Sequence, residues 1–251
     1  MMASEEYAAK AISKLYKTPF EDLVLFENED YFVVDKPAFV STLEDRHASV
    51  NMISLAREYW EDAQVCHRLD KETSGALVFA KHPEAYRSLA MQFEHRQVLK
   101  LYHAVVSGTH NFQKQLIDLP IYANAKGVVK VSHRQGKEAK TYVSTLQAYR
   151  RHSLLECQPI SGRMHQIRIH LSSVGAPIAG DEQYGGEPLL LSALKRNFNL
   201  KKHAEEQPLI KRVALHARVI GFKLLNGEGV EVSSPYPKDF AVVLKQLEKL
   251  G

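Results

Sequence analysis

The sequence is poor in cysteine, with only Cys66 and Cys157 among 251 residues. The two lie far apart and neither belongs to a Cys-x-x-Cys pair, which predicts a reduced, cytoplasmic protein rather than a disulfide-stapled secreted one. The N-terminus lacks the basic, apolar and small-residue order of a secretory signal. No apolar run approaches the roughly 20 residues that a membrane-spanning helix needs.

Metal-binding motifs and a strong charge bias are also lacking. The 12 histidines form no His-Glu-x-x-His motif and no zinc-finger spacing, so we expect no metal site. The net charge of +4 is a mild excess, which permits a nucleic-acid partner without requiring one. With 45% hydrophobic and 25% charged residues and no low-complexity tract, the composition is typical of a folded globular protein.

Periodicity and turn residues predict an α+β protein. Helices are expected at 5–17, 50–60 with Ser49 as the N-cap, 83–95, 165–171 and from 239 on. Strands are expected at 23–26, 31–35, 76–80, 98–106, 116–122, 140–149, 153–159, 212–225 and 229–233, with an irregular stretch at 185–210. Because strands mostly follow strands, we expect one domain at 21–251, built on a mixed, mostly antiparallel sheet flanked by helices, after a helical extension at 1–20.

One segment combines reactive side chains with the start of a strand. Residues 67–75 read HRLDKETSG, and the apolar run 76–80 follows. Polar groups on a turn before a rigid strand are placed to meet a ligand. Neighbouring donors such as Arg68 and Thr73 could keep the Asp70 carboxylate ionised. An aspartate before a strand is more often a structural turn residue, so this segment alone leaves both interpretations open.

Two further segments carry polar groups of the same kind. KLYHAVVSG at 100–108 places Tyr102 on a predicted strand, where a buried phenol normally finds a polar partner. SGRMHQIRIHL at 161–171 contains Arg163 and Arg168, either of which could pair with a carboxylate or a phosphate. Taken alone, a strand tyrosine is more often packing and such arginines more often surface residues.

Together the segments resemble the RluA-like RNA pseudouridine synthases. HRLDKETSG is similar to that family's HRLD…TSG segment, KLYHAVVSG to its lysine-x-tyrosine strand and SGRMHQIRIHL to its GR-x-HQ segment. Asp35-Lys36-Pro37, Gly180-Asp181 with Tyr184-Gly185, and Leu215-His216-Ala217 also fit, in the expected order. Two departures bear on substrate fit: Met164 stands where many relatives carry a hydroxyl residue, and Ala38-Phe39-Val40 lacks a glycine often found there.

The resemblance implies a role for each residue of the site. Asp70 would be the catalytic aspartate, Tyr102 the active-site tyrosine and Arg168 the arginine that pairs with the aspartate, while Arg68 would replace the flipped nucleotide in the RNA stack. Further substrate contacts are expected from His67, Thr73, Lys100, Arg163, His165 and Gln166. The implied reaction isomerises uridine to pseudouridine without a cofactor, after flipping the base at a cost of a few kcal/mol.

The implied partner is ribosomal or transfer RNA, bound by a monomer in a central cleft. The loop 124–137 has four lysines or arginines, His133 and no acidic residue, which suits a phosphate backbone, although a solvated hairpin tip fits equally well. Lys195 to Lys202 is a second basic candidate. The first ~20 residues are too short for the small RNA-binding domain that many relatives carry, so we expect the catalytic domain to provide specificity.

Two other functions compete with this one. An RNA glycosidase or nuclease would pair Asp70 with a second carboxylate such as Glu72, Asp45 or Asp181. A non-enzymatic RNA-binding protein or chaperone with a relic site is the other alternative. None of those carboxylates belongs to a motif as specific as the tyrosine and arginine segments, which argues against the first alternative. The presence of Asp70, Tyr102 and Arg168 together argues against the second.

Overall fold

The computed structural model describes residues 2–44, 50–124, 127–196, 198–200 and 205–250. The helices are α1 Met2–Leu15, α2 Met52–Tyr59, α3 Pro83–Glu94, α4 Gln166–Ser173, α5 Leu191–Leu194 and α6 Lys238–Leu250. The strands are β1 Val24–Glu27, β2 Tyr31–Lys36, β3 Gln64–Val65, β4 Ser74–Ala80, β5 Leu99–Ser107, β6 Gln115–Asp118, β7 Ile121–Ala123, β8 Val129–Val131, β9 Lys140–Ala148, β10 His152–Pro159, β11 Leu215–Lys223 and β12 Gly229–Ser233.

The chain forms two compact units. Unit 1 runs to Tyr102 and resumes from His216 to Tyr236, and unit 2 takes in the chain from His103 to Leu215 and from Pro237 on. In unit 1 the strand order is β1-β2-β4-β11, with β3 beside β4 and β12 beside β11. Its pairs are antiparallel except that β4 and β11 run parallel, which makes the sheet mixed.

Strand β4 lies at the centre of unit 1 and all seven of its residues are buried. Because successive side chains of a strand point to opposite faces, β4 supplies two separate clusters. Leu77 and Phe79 pack with residues of β2 and α2, whereas Val78 packs on the other face with residues of α3, β11 and β12. Burial on both faces explains why this strand reads as a continuous apolar run, and each large side chain contributes roughly 1.5–3 kcal/mol.

In unit 2 the order is β5-β10-β9-β6, in which β10 and β6 both pair antiparallel with β9. Strands β7 and β8 form a separate antiparallel pair. Ile121 and Val129 of that pair pack with Ile169 of α4 in a small apolar cluster. The short helix predicted over 165–171 is therefore confirmed as α4, and its apolar side is buried.

The predicted class, an α+β protein on a mixed, mostly antiparallel sheet flanked by helices, is confirmed. The predicted domain boundaries stay a prediction. Among the described residues, no helix is both long and apolar enough to cross a bilayer.

Three details of the predicted elements were wrong. The strand expected over 116–122 is divided into β6 and β7, because Pro120 between them has no amide hydrogen for a ladder. The cap of α2 is Asn51, whose Oδ1 accepts the Ser54 N–H at 2.8 Å, and the predicted Ser49 lies outside the described residues. The stretch expected to be irregular contains the short helix α5.

Candidate active site

The segment 67–75 forms a turn that delivers Asp70 at the entry to β4. The Thr73 N–H donates to the main-chain carbonyl of Asp70 at 3.0 Å, which closes the turn. Leu69 is buried, Asp70 is half-buried and Arg68 is exposed. The Ser74 hydroxyl, one residue further on, is hydrogen-bonded to His216 Nδ1 at 3.0 Å within the sheet. The turn therefore exposes the Arg68 guanidinium and partly exposes the Asp70 carboxylate, while the neighbouring residues Leu69 and Ser74 are buried.

A buried lysine fixes the residue that follows Asp70. Lys36 is fully buried, and its Nζ donates to the carbonyls of Pro37, Val40 and Lys71 at 2.9, 2.7 and 3.3 Å. The Phe39 N–H donates to the same Lys71 carbonyl at 2.7 Å. Phe39 has a φ of 69°, in the left-handed region that favours glycine. The loop after β2 is thus attached to the turn of Asp70.

His67 supports the turn from the other side. Its Nε2 accepts the Val78 N–H of β4 at 3.1 Å, and its ring stacks on Phe93 with centroids 4.9 Å apart. Burial, with the positive charge of Lys100 as a second cause, lowers the pKa of His67 to about 3. The ring is therefore neutral at physiological pH, as an accepting Nε2 requires.

Strand β5 contributes Tyr102 and Lys100 to unit 1. Tyr102 is partly buried against the apolar cluster of β2, β4 and α2. Burial, and after it the negative charge of Asp70, raises the pKa of Tyr102 far above its usual range. Burial and the positive charge of Arg96 lower the pKa of Lys100 to about 8. The charge of Asp70 therefore favours the protonated phenol of Tyr102.

Arg168 is buried on α4 of unit 2, where a carboxylate and an aromatic ring hold it. Its Nε and Nη2 donate to the two carboxylate oxygens of Asp181 at 2.8 and 2.7 Å. Nη2 also donates to Gln183 Oε1 at 3.1 Å, and the guanidinium lies 5.0 Å from the centre of the Tyr184 ring. A bidentate pair of this kind fixes both the position and the plane of the guanidinium.

The other predicted residues of unit 2 surround the start of α4. His165 has a φ of 51° and its Nδ1 is hydrogen-bonded to the Tyr184 hydroxyl at 2.9 Å. Gln166 is buried. Its Oε1 accepts hydrogen bonds from Ser161 Oγ and the Arg163 N–H. Its Nε2 donates to the Lys140 carbonyl and to Thr141 Oγ1. Arg163 is exposed and its Nε donates to the Glu138 carbonyl at 3.2 Å. Gln166 thus anchors α4 to β9 through protein partners.

The predicted residues fall into two sets. Unit 1 holds Asp70, Tyr102, Arg68, His67, Thr73 and Lys100, and unit 2 holds Arg163, His165, Gln166 and Arg168. Within unit 1 the negative charge of Asp70 is a secondary cause, after burial, of the raised pKa of Tyr102. The ion pair of Arg168 with Asp70 stays a prediction, as do the RNA contacts.

Sequence reasoning did not predict that several further residues organise the site. Asp181 and Tyr184 were visible in the Gly-Asp and Tyr-Gly pairs of the family resemblance, and Lys36 in Asp35-Lys36-Pro37. The contacts of Gln183 and Phe39 could not be predicted, because they depend on the fold rather than on a motif. Of the described residues, no cluster of three or more His, Cys, Asp or Glu side chains could hold a metal ion.

Comparison with protein families finds a match that covers more than half of the chain. Residues 30–173 match the family described as RNA pseudouridylate synthase. An uncharacterized RNA pseudouridine synthase of Bacillus subtilis is 32% identical over 245 residues, 93% of this chain and 75% of that protein. The ribosomal large subunit pseudouridine synthase C of Pasteurella multocida is 32% identical over 258 residues, 98% of this chain and 74% of that protein.

Solved structures share the fold. Human RNA pseudouridylate synthase domain containing 4 superposes with a TM-score of 0.71, 24% identity, and coverage of 98% of this chain and 97% of that chain. Human RNA pseudouridylate synthase domain containing 1 has a TM-score of 0.64 and 26% identity, with coverage of 85% and 83%. At 24% identity, the similarity to the first of these two structures shows a shared fold and nothing more.

Proposed function

Since this chain belongs to the family of RNA pseudouridylate synthases, isomerases that act on RNA, we propose that it converts specific uridines of ribosomal or transfer RNA into pseudouridine. The observation that carries the proposal is the half-buried Asp70, held on a hydrogen-bonded turn in the HRLDKETSG segment. Relatives named for the large ribosomal subunit favour ribosomal RNA as the substrate.

The chemistry needs no redox partner. The N1–C1′ bond of the uridine breaks, the base turns, and a C5–C1′ bond forms in its place. The hydrogen of C5 leaves as a proton and N1 gains one, so atoms and electrons balance within the substrate and solvent. The protein must therefore stabilise charge at C1′, hold the detached base and move a proton, and all three tasks lie within reach of ordinary side chains.

Asp70 is proposed as the group that acts on the glycosidic bond. An ionised carboxylate can attack C1′ or stabilise positive charge that develops there as the bond to N1 lengthens. Both forms of the step require the same ionised group at the same place. The backbone contacts on the residue after Asp70, from Lys36 and Phe39, restrict where the carboxylate can point.

Tyr102 is proposed to manage the C5 proton. Its raised pKa means that the phenol is protonated when a uridine arrives, so it can accept a proton only as it gives its own away. Asp70, whose charge helps to raise that pKa, is proposed as the acceptor of the phenol proton. The ring can also stack on the uracil while the base turns.

Arg168 is proposed, from the family resemblance, to pair with Asp70 and keep it ionised. A guanidinium has five N–H donors and can bind more than one acceptor, so the pair with Asp181 is compatible with this role. In this proposal Asp181, Gln183 and Tyr184 orient the guanidinium.

Base flipping completes the proposed cycle. A uracil stacked in RNA must leave the stack before Asp70 can reach its sugar. Arg68 is exposed two residues before Asp70, which suits a side chain that fills the vacated position. Further RNA contacts are proposed for Lys100, Arg163, His165, His67, Thr73 and Gln166, of which Thr73 and Gln166 are buried. We propose a cytoplasmic monomer that works without metal or cofactor.

Release of tritium from RNA labelled at C5 of uridine tests the proposal directly, because that hydrogen is lost when the C5–C1′ bond forms. Wild-type protein should release tritium from a large-subunit ribosomal RNA transcript. Asp70→Asn should abolish release and leave RNA binding within about twofold, whereas Asp62→Asn at an exposed site should behave as wild type. Strand breaks or free uracil in place of an isomer would support the glycosidase or nuclease alternative, for which Glu72→Gln provides the matching variant.

A further inference from the structure

Thr42 makes an unusual pair of contacts with the residue that precedes Asp70. Its side chain is 3% exposed. The hydroxyl oxygen accepts the Leu69 N–H at 3.1 Å, and the hydroxyl donates to the Leu69 carbonyl at 3.0 Å. A single side chain thus satisfies both backbone polar groups of Leu69, which is itself buried. Such a pair of contacts needs a group that is donor and acceptor at once.

The backbone of Thr42 is itself held by helix α2. The Ile53 N–H donates to the Thr42 carbonyl at 3.1 Å, and the Met52 N–H donates to the Ser41 carbonyl at 2.8 Å. These amides belong to the first turn of α2, which has no intrahelical acceptors for them. Thr42 therefore connects the rigid start of a helix to the turn of Asp70.

Thr42 and Lys36 act on opposite sides of Asp70. Thr42 fixes the residue before it, whereas Lys36 Nζ and the Phe39 N–H fix the carbonyl of the residue after it. The Asp70 carbonyl is occupied by the Thr73 N–H. With the backbone held on both sides, the direction of the Asp70 Cα–Cβ bond is determined by contacts from outside the turn.

We propose that Thr42 is a positioning residue, whose hydroxyl sets the orientation of the Asp70 carboxylate for reaction at C1′. This inference rests on the proposed function of Asp70. Without the hydroxyl, two buried backbone groups lose their partners, and the Leu69–Asp70 peptide turns to find others. A displacement of about 1 Å at a reacting group can cost roughly 100-fold in rate. The loss should fall on kcat, because a residue that is 3% exposed offers RNA almost no surface.

Valine, serine and cysteine at position 42 separate the hydroxyl from the shape of the side chain. In tritium-release assays on the labelled transcript, Thr42→Val should lower kcat by roughly 10- to 100-fold with KM within about twofold. Thr42→Ser should keep kcat within about threefold, because it keeps the donor and acceptor. Thr109→Val is the matched control, since the Thr109 hydroxyl donates to the carbonyls of Tyr149 and Arg150 in unit 2 and should not affect kcat.

Amide hydrogen exchange provides a readout that does not depend on activity. Exchange of the amides of 69–73 should accelerate in Thr42→Val and stay slow in Thr42→Ser. If the valine variant does not fold, Thr42→Cys replaces it, because a thiol is only a weak donor and acceptor. Unchanged exchange, or a kcat equal to that of wild type in the variant without a hydroxyl, overturns the proposal. Wild-type protein that releases no tritium would instead overturn the proposed function, while exchange would still report on Thr42.

Discussion

At the scale of single residues, the protonation state of Tyr102 is the property that most restricts the proposed mechanism. Its raised pKa comes from burial and from Asp70. A phenol that stays protonated cannot accept a proton unless it gives up its own. In the proposed mechanism the Tyr102 hydroxyl therefore relays the C5 proton rather than simply removing it. The ring and the hydroxyl can be separated by substitution because phenylalanine keeps the first and loses the second.

Tyr102→Phe should therefore lower kcat for tritium release by at least about 100-fold, as expected for loss of a positioned proton-transfer group. Its stability should stay within about 1 kcal/mol of wild type, because the ring still fills its place in the apolar cluster. Tyr102→Leu, which also removes the ring, is the comparison. A phenylalanine variant as active as wild type would limit Tyr102 to stacking.

His67 predicts a dependence of stability on pH. Its pKa is about 3 in the folded protein and should be near 6.5 when unfolded, so the unfolded state binds more protons between these values. Stability should fall as the pH drops below 6.5, by about 1–2 kcal/mol between pH 7 and pH 5. Urea denaturation of wild type and His67→Gln isolates this part, because glutamine can accept the Val78 N–H without titrating. Equal losses in both proteins would assign the effect to other groups.

Residue roles were only partly predictable from the sequence. Asp70, Tyr102 and Arg168 stand in motifs, and a motif can be read locally. The contacts of Thr42 with Leu69, and of Lys36 with Lys71, join residues 27 and 35 positions apart. Such contacts arise from tertiary packing, to which neither periodicity nor local propensity refers.

At the scale of elements, the parallel pair of β4 and β11 imposes a tight steric constraint at Gly75, close in sequence to Asp70. Gly75 has a φ of 119°, and a Cβ there would lie 2.2 Å from the Ala217 carbonyl oxygen. The Ala217 carbonyl is part of the backbone of strand β11, which is paired with β4. It cannot move aside without breaking this pairing.

Gly75→Ala should reduce the free energy of unfolding by more than about 3 kcal/mol, measured by urea denaturation. Gly227→Ala is the matched control, because Gly227 also has a positive φ, 86°, but a Cβ there would meet nothing within 4 Å. Strain in φ alone should cost about 1 kcal/mol at Gly227. Equal losses at both positions would show that strand β11 yields to the added methyl group.

The strands and helices themselves were well predicted where their residues alternate or recur with helical spacing. The predicted strand over 140–149 corresponds to β9, and the helix over 83–95 corresponds to α3. The parallel pairing of β4 with β11 was not predictable. It joins segments more than a hundred residues apart, and local sequence patterns do not indicate which distant strands pair.

At the scale of the whole molecule, a net charge of +4 supports RNA binding only if basic groups are concentrated where RNA lies. The described part of the loop 124–137 leaves Lys130, His133, Arg134 and Lys137 exposed. Lys130 lies with its Nζ 5.9 Å from the centre of the Tyr122 ring, next to the pair β7–β8. The loop thus belongs to a small two-stranded sheet of unit 2 on which these cations are exposed.

Neutralising two of these cations tests whether the loop binds phosphates. Binding of RNA by Lys130→Ala/Arg134→Ala should weaken, and the slope of log K against log salt should become shallower by about 0.7–0.9 for each phosphate that the variant no longer neutralises. Because the loop would act on binding and not on the reacting atoms, KM should rise while kcat at saturating RNA stays near that of wild type.

Lys245→Ala/Lys249→Ala removes the same charge from exposed positions of α6 and should change the slope little. Equal slopes in wild type and the loop variant would mean that the loop is a solvated hairpin tip, and the interactions that offset the cost of base flipping would then have to come from other cations, such as Arg68 and Arg163.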